Sequence, residues 1–182
     1  MKLFKKSAFA VVALTIAAAS TPSIAKMVGG AEMYPAKTIV ENAVNSKDHT
    51  TLVAAVQAAG LVDTLQGSGP FTVFAPINAA FEKLPAGTVD TLLKPENKEQ
   101  LVAVLTYHVV PGDITASAIV DKAKSMGGTA ELTTVQGEKL TAKVAGDAVM
   151  ITDRNGNTAT VTIADVDQSN GVIHVIDTVL LP

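Results

Sequence analysis

The spacing of hydrophobic residues along the chain changes near residue 129. Before that point apolar positions recur every three or four residues, as at Leu101 and Leu105 with His108 on the same face, which is typical of helices. Beyond it, alternate positions are apolar in five runs separated by turn signals such as Asn155-Gly156, a dipeptide typical of tight β-hairpins. The pattern predicts an α+β domain in which helices come first and an antiparallel meander then forms much of a β-sandwich.

Residues that favour helix ends divide the N-terminal half into several short helices. Thr50 or Thr51 is predicted to cap a helix that Gly60 ends. Asn78 is predicted to cap a shorter helix that follows the β-rich run FTVFAP. Residues 26–35 have no hydrophobic periodicity and contain two glycines and a proline, so we expect a flexible lead-in there.

The closing run, GVIHVIDTVLLP at residues 171–182, is mostly apolar on both of its strand faces. This pattern is typical of a strand that is covered on both sides. His174 and Asp177 interrupt it, and a buried polar group without a hydrogen-bond partner costs about 1–3 kcal/mol. We therefore expect both side chains to bond to neighbouring groups in the core, and we favour a structural role for them over a catalytic one.

The first 25 residues have the pattern of a secretory signal peptide. Three lysines precede an apolar stretch at residues 8–19, and small residues at Ser23 and Ala25 predict cleavage after Ala25. A membrane anchor is disfavoured because about twelve apolar residues are too few for a span of about 20. The expected product is an exported protein, periplasmic or extracellular, with no membrane span in residues 26–182.

Charge and cysteine content exclude several function classes. The net charge of −3 becomes −6 once the three lysines of the signal peptide are removed, and Arg154 is the single arginine, so nucleic acid is not an expected partner. The absence of cysteine from the sequence excludes disulfides, thiolate metal sites and a cysteine nucleophile. The fold must therefore be held together by its hydrophobic core.

Motifs for metal binding and catalysis are incomplete. Asp153, Asn155 and Asn157 have the spacing that begins a calcium loop, but the sixth position is Thr158 and the twelfth is Ala164, so a hairpin turn explains them better. The three histidines are widely separated, and neither a Gly-x-Ser-x-Gly elbow nor a nucleotide-binding loop is present. We expect no enzyme activity, no metal and no cofactor.

Three segments together resemble the fasciclin domain. Residues 69–85 (GPFTVFAPINAAFEKLP) resemble its first signature, residues 170–182 (NGVIHVIDTVLLP) its closing signature, and residues 105–112 (LTYHVVPG) its Tyr-His segment. The likeness covers residues 36–182 and implies a β-sandwich wrapped by helices that serves as an extracellular interaction module. The family usually has threonine where this chain has Ile77, so Asn78 is expected to take over the helix cap one residue later.

The resemblance also implies sites for partner binding. In animal members of the family, cell-surface receptors engage the Tyr-His segment and an Asp-Ile pair before the closing signature. Tyr107 and His108 match the first site, and Asp165 and Val166 match the second with valine in place of isoleucine. A mainly structural role for Tyr107 and His108, docked on the core at a helix end, is the competing interpretation.

These observations lead to one main hypothesis and two alternatives. The main hypothesis is a non-catalytic module that binds a cell-surface or matrix protein or glycan and supports adhesion or matrix assembly, with its oligomeric state open. The first alternative is a periplasmic carrier or sensor of a small apolar ligand, which requires a deep apolar pocket. The second is a hydrolase that uses His108 and aspartates brought together by folding, which requires a cleft with two titratable groups.

Overall fold

The fold is described by a computed structural model that covers residues 25–146 and 148–182. The predicted signal peptide lies outside the described residues except for Ala25, and so does Asp147 of the predicted Gly146-Asp147 turn. The helices are α1 (Ile39–Ala43), α2 (Thr50–Ala59), α3 (Val62–Leu65), α4 (Asn78–Glu82), α5 (Thr88–Leu92), α6 (Lys98–Tyr107) and α7 (Ala116–Ser125). The strands are β1 (Lys26–Val28), β2 (Ala31–Met33), β3 (Phe71–Pro76), β4 (Val109–Pro111), β5 (Thr129–Thr133), β6 (Lys139–Ala145), β7 (Ala148–Thr152), β8 (Thr158–Gln168) and β9 (Gly171–Ile176).

Seven of these strands form one mixed sheet in the order β4-β3-β9-β8-β7-β6-β5. The meander from β5 to β9 is antiparallel, as predicted, but β3 lies beside β9 in parallel with Phe71 opposite Gly171. The two ends of the sheet approach each other, because the Val135 N–H donates to the Val109 carbonyl oxygen at 2.7 Å. The sheet is therefore close to a closed barrel, and the prediction of an antiparallel β-sandwich wrapped by helices is only partly right.

The parallel contact between β3 and β9 depends on a glycine. Gly171 has φ of +150°, and a Cβ atom there would lie 1.9 Å from the carbonyl oxygen of Phe71. The preceding residue, Asn170, is buried, and its side chain accepts from Ile39 N at 3.0 Å and donates to Leu65 O at 2.7 Å. This pair of residues therefore brings β9 against β3 and attaches α1 and α3 to the same end of the sheet.

The helices α1 to α6 all precede β4, whereas α7 lies between β4 and β5 and packs on β5 and β6. Helix α1 begins at a capping box, in which Thr38 Oγ1 accepts from Glu41 N at 3.3 Å and Thr38 N donates to Glu41 Oε2 at 2.8 Å. Helix α2 ends at Gly60 in the left-handed conformation, as predicted. The longest helices of the described residues have ten residues, too few to cross a bilayer.

The segment 26–35 is not the flexible lead-in that its composition predicted. It contains the β1–β2 hairpin, in which Gly29 and Gly30 have φ of +59° and +74°, as a type I′ turn requires. Val28 and Met33 are each 1% exposed and belong to the core that also contains the helices α1 and α2. The packed unit therefore includes residues 26–35 as well as the residues from 36 onwards, and the Gly-Gly pair is the sequence signal for this hairpin.

Buried side chains form two main clusters on the two sides of β3 and β9. One lies between these strands and the helices α1, α2, α3 and α6. The other lies between the curled strands β5 to β8 and helix α7, and it contains Phe74 and Tyr107. Because alternate residues of β3 and β9 point to opposite sides, both faces of these strands are covered, as the apolar closing run predicted.

Candidate functional site

Tyr107, the last residue of helix α6, is fully buried and connects three segments of the chain. Its hydroxyl accepts a hydrogen bond from the Arg154 N–H at 3.0 Å and donates to the Lys139 carbonyl oxygen at 3.2 Å. Burial is the main reason why the pKa of the phenol is raised. Tyr107 thus joins the end of α6 to β6 and to the turn between β7 and β8.

His108 is 3% exposed, and both of its ring nitrogens bond to backbone groups. Nε2 accepts from the Leu180 N–H at 3.0 Å, so the ring proton lies on Nδ1, which donates to the Val104 carbonyl oxygen at 2.8 Å. Complete burial lowers the pKa of His108 to about 4, against a smaller rise from the hydrogen bond to Val104. The imidazole is therefore neutral at neutral pH and holds the C-terminal segment against helix α6.

Asp153 forms another attachment of that C-terminal segment. Its Oδ1 accepts from the backbone N–H groups of Asn155 and Asn157, both at 2.9 Å. Its Oδ2 accepts from Asn157 Nδ2 at 2.9 Å and from the Leu181 N–H at 3.0 Å. The Asp-x-Asn-x-Asn spacing therefore belongs to a turn with a bonded carboxylate, and the contact with Leu181 is one that sequence reasoning missed.

Asp165 and Val166 lie where the pairing of β8 with β9 is irregular, between Ile163 and Val166. Val166 is fully buried, whereas Asp165 is partly exposed and has φ of +54°. The Asp165 carboxylate accepts from the N–H of Ala116, the first residue of α7, at 2.6 Å. Asp165 thus fixes the start of α7 against the bulge in β8.

His174 lies in β9 beneath this bulge. Its Nδ1 accepts from the Asp165 N–H at 3.2 Å, so Nε2 carries the proton and donates to the Ile114 carbonyl oxygen at 2.8 Å. The ring stacks on Phe74 with centroids 5.5 Å apart. Burial lowers the pKa of His174, against smaller raising effects that include the hydrogen bond to Ile114 and the charge of Asp165.

Asp177 follows β9 and has both a backbone and a side-chain partner. Its Oδ1 accepts from the Thr160 N–H at 2.8 Å and from the Thr178 hydroxyl at 3.1 Å. Its Oδ2 lies 3.7 Å from Lys83 Nζ, in an ion pair near the surface. The carboxylate attaches the end of β9 to β8, although it is only partly buried.

Asn78 does not cap its own helix, contrary to the sequence prediction. It lies at the first position of α4, after Ile77 at the N-cap, and no side chain caps that helix end. The Asn78 Oδ1 accepts instead from the Thr51 N–H at 3.1 Å, and its Nδ2 donates to the Lys47 carbonyl oxygen at 2.8 Å. Asn78 therefore caps helix α2, and neither Thr50 nor Thr51 does so.

The two predicted binding pairs are brought close to a common strand, β3. The Phe74 N–H donates to the His108 carbonyl oxygen at 2.9 Å, and the Phe74 ring stacks on His174, whose Nδ1 accepts from the Asp165 N–H. Among the four residues predicted to contact a partner, three are buried and Asp165 alone is partly exposed. Their polar atoms face backbone groups of the domain, which was not predictable from the motif because the motif does not report burial.

Comparison with known proteins identifies the family. A family model described as the fasciclin domain matches residues 47–182. The chain belongs to the fasciclin domain family. The membership predicted from the three sequence segments is therefore confirmed.

Individual relatives of this fasciclin domain occur in bacteria and animals. Protein sll1483 of Synechocystis sp. is 50% identical over 169 residues, which are 93% of this chain and 87% of that protein. The cell surface glycolipoprotein MPB83 of Mycobacterium bovis is 38% identical over 170 residues, which are 91% of this chain and 68% of that protein. The structure of a FAS1 domain pair from the insect cell adhesion molecule fasciclin I matches with a TM-score of 0.71 at 19% identity, over 80% of this chain and 51% of that one. This last likeness supports the fold alone.

The fasciclin domain also contains an apolar cavity of about 90 Å³ between α1, α2 and α3 on one side and β3 and α6 on the other. Most of its lining side chains are aliphatic or aromatic. Its remaining lining residues are Gln57, Thr64, Thr106 and His108, and none of these side chains carries a charge at neutral pH. Within residues 25–146 and 148–182, no three histidine, aspartate or glutamate side chains lie close enough together to hold a metal ion.

Proposed function

We propose that this fasciclin domain is an exported, non-catalytic interaction module that binds a protein or glycan of a cell surface or matrix. Support comes from its relatives, since one of them is described as a cell surface glycolipoprotein. Export, with cleavage after Ala25, is part of this proposal. The mass and N-terminal sequence of the protein recovered outside the cytoplasm test it directly.

The observation that carries the proposal is the use of the signature side chains as internal supports. Tyr107 and His108 hold the β7–β8 turn and the C-terminal segment, and Asp165 holds the start of α7. A rigid scaffold that positions surface turns is typical of binding modules, because pre-ordered contacts lose less entropy on association. We propose that the Tyr-His and Asp-Val pairs contribute to partner binding through the surface segments that they hold in place.

Two exposed patches follow from this reasoning. The first, the Arg154 patch, consists of Arg154 and Asn155 in the turn that Tyr107 supports. The second, the Asp113 patch, consists of Asp113 and Ser117, which flank the Asp165 contact with α7. Substitutions in these patches leave the core intact, whereas truncation of Tyr107 or His108 removes buried hydrogen bonds.

The test is retention of the purified protein on immobilised cell-surface extract that is separated into protein and glycan fractions. Variants Arg154→Ser and Asp113→Ser are compared with Lys94→Ser, an exposed lysine whose only ion pair is with the nearby Glu96 in the described structure. We expect saturable retention in one fraction, weakened by one patch variant and unchanged by Lys94→Ser. Lack of retention in both fractions, or equal retention of all variants, would count against these patches as adhesion sites.

The two alternative functions have less support. Pockets for drug-sized ligands usually measure about 300–1,000 Å³, whereas the cavity here measures about 90 Å³. A hydrolase that used His108 as its general base would need a ring nitrogen of that residue within hydrogen-bond reach of the substrate. Both ring nitrogens of His108 are buried and bonded to backbone groups, which favours the binding module over this catalyst.

A further inference from the structure

The apolar cavity reaches the protein surface. Most of its lining residues are buried or partly buried, but Gln57, Thr64 and Val135 are exposed. Val135 follows β5 and is 47% exposed although its side chain is apolar. These three residues, which we call the rim, come from α2, from α3 and from the segment that closes the barrel.

The interior of the cavity has little capacity for polar groups. The Thr106 hydroxyl donates to backbone carbonyl oxygens of its own helix, with Val102 O at 2.7 Å. Both His108 nitrogens bond to the backbone, as described above. A polar or charged ligand group would therefore lose its hydration without gaining a partner, at a cost that disfavours binding.

The size of the cavity restricts the occupant further. Its volume of about 90 Å³ is smaller than the roughly 150 Å³ of an engineered cavity that binds benzene. A few methylene groups of a straight chain are narrow enough to enter such a space, and the rim allows the remainder of the chain to stay outside. The polar rim residues Gln57 and Thr64 are suited to an uncharged polar head group.

We propose that this cavity binds the end of a straight hydrocarbon chain of an uncharged amphiphile, with the head group at the rim. The residues that line this cavity do not include those of the Arg154 and Asp113 patches. The proposed site therefore does not depend on the proposed adhesion function. It would give the domain an affinity for molecules with a free aliphatic chain.

The test uses protein expressed from residues 1–182 and a series of straight-chain alcohols from butanol to octanol. Binding is followed through the methyl resonances of labelled valine and leucine residues. Each buried methylene group is expected to tighten binding by about fourfold. The increase in affinity with chain length should stop once the end of the chain fills the cavity. The shifts should be saturable and should concentrate on lining residues such as Leu52, Val56 and Val73.

Two alanine-to-leucine variants provide the matched control. Ala43 lines the cavity at the end of α1, whereas Ala54 lies on the exposed face of α2 and does not line it. Ala43→Leu should weaken octanol binding at least tenfold, and Ala54→Leu should bind as the unchanged protein does. If Ala43→Leu fails to fold by circular dichroism, Val62→Phe fills the same cavity from α3.

The proposal would be overturned by an affinity that does not rise with chain length, by shifts outside the lining residues, or by equal binding of the folded cavity-filling variant and Ala54→Leu. Benzene binding more tightly than every alcohol would also overturn it, because a compact ring would then be the better occupant. Retention on cell-surface extract is measured separately, so that a failure of one proposal is distinguishable from a failure of the other.

Discussion

Acidification is expected to destabilise the fasciclin domain through His108. The folded protein lowers the pKa of this residue from 6.5 to about 4, because burial of the imidazole penalises its charged form. Between these two pH values the unfolded chain binds a proton at His108 and the folded chain does not. The contribution of neutral His108 to the free energy of unfolding is therefore complete above pH 6.5 and is lost as the pH falls towards 4.

The size of the effect follows from the same pKa. A fall from 6.5 to about 4 corresponds to about 3 kcal/mol of unfolding free energy, at about 1.4 kcal/mol per pH unit for one proton. This is a large part of the roughly 5–15 kcal/mol that stabilises an ordinary domain. The buried residues His49 and His174 also have lowered pKa values and add to the slope in the same direction.

Urea unfolding between pH 7 and pH 4.5 measures this dependence, with His108→Gln as the test variant. Glutamine does not titrate, so the slope near pH 5 should be smaller by about 1.4 kcal/mol per pH unit. Leu105→Ala, at a buried neighbour, should lower stability and keep the original slope. The reasoning is refuted if His108→Gln keeps the original slope, or if NMR of the folded protein shows His108 titrating near 6.5.

Two other substitutions test the structural roles assigned above. His174→Ala removes the partners of Asp165 N–H and Ile114 O as well as the stacking on Phe74. We expect a loss of at least about 2 kcal/mol, seen as a fall in Tm of about 4–8 °C or more by circular dichroism; an unchanged Tm would contradict the structural role. Asn78→Ala should cost about 1 kcal/mol and accelerate amide hydrogen exchange at Thr51, since the lost cap belongs to α2. Faster exchange confined to Ala80 in α4 would show that the cap belongs to that helix instead.

Local features of the fold were predictable because neighbouring residues determine them. Gly60 ends α2 in the left-handed conformation, and Asn155-Gly156 lies in the turn between β7 and β8. Both depend on the backbone freedom of glycine, which acts within a few residues. The hairpin at residues 26–35 is equally local, but two adjacent glycines are compatible with a flexible segment as well as with the type I′ turn that the structure contains.

Contacts between distant segments were not predictable from the pattern. Asn78 caps the helix that begins at Thr50 rather than its own, and Asp153 binds the N–H of Leu181 near the C-terminus. An asparagine or aspartate accepts a hydrogen bond from whichever N–H group the fold brings close, and its sequence neighbours do not identify that group. The same reason explains why the parallel pairing of β3 with β9 appeared only in the structure.

The sequence by itself determined the family, the alternation that makes β5 to β9 a meander, and the apolar character of the closing strand. The tertiary structure decided whether Tyr107, His108 and Val166 are exposed or buried, and all three are buried. A motif specifies side-chain chemistry, whereas burial depends on the segments that pack over it from elsewhere in the chain. For Tyr107 and His108 those segments are the β7–β8 turn and the last four residues, from which the N–H groups of Arg154 and Leu180 donate to them. Val166 is covered differently, because it belongs to the cluster that packs between β3, β9 and the helices of the N-terminal half.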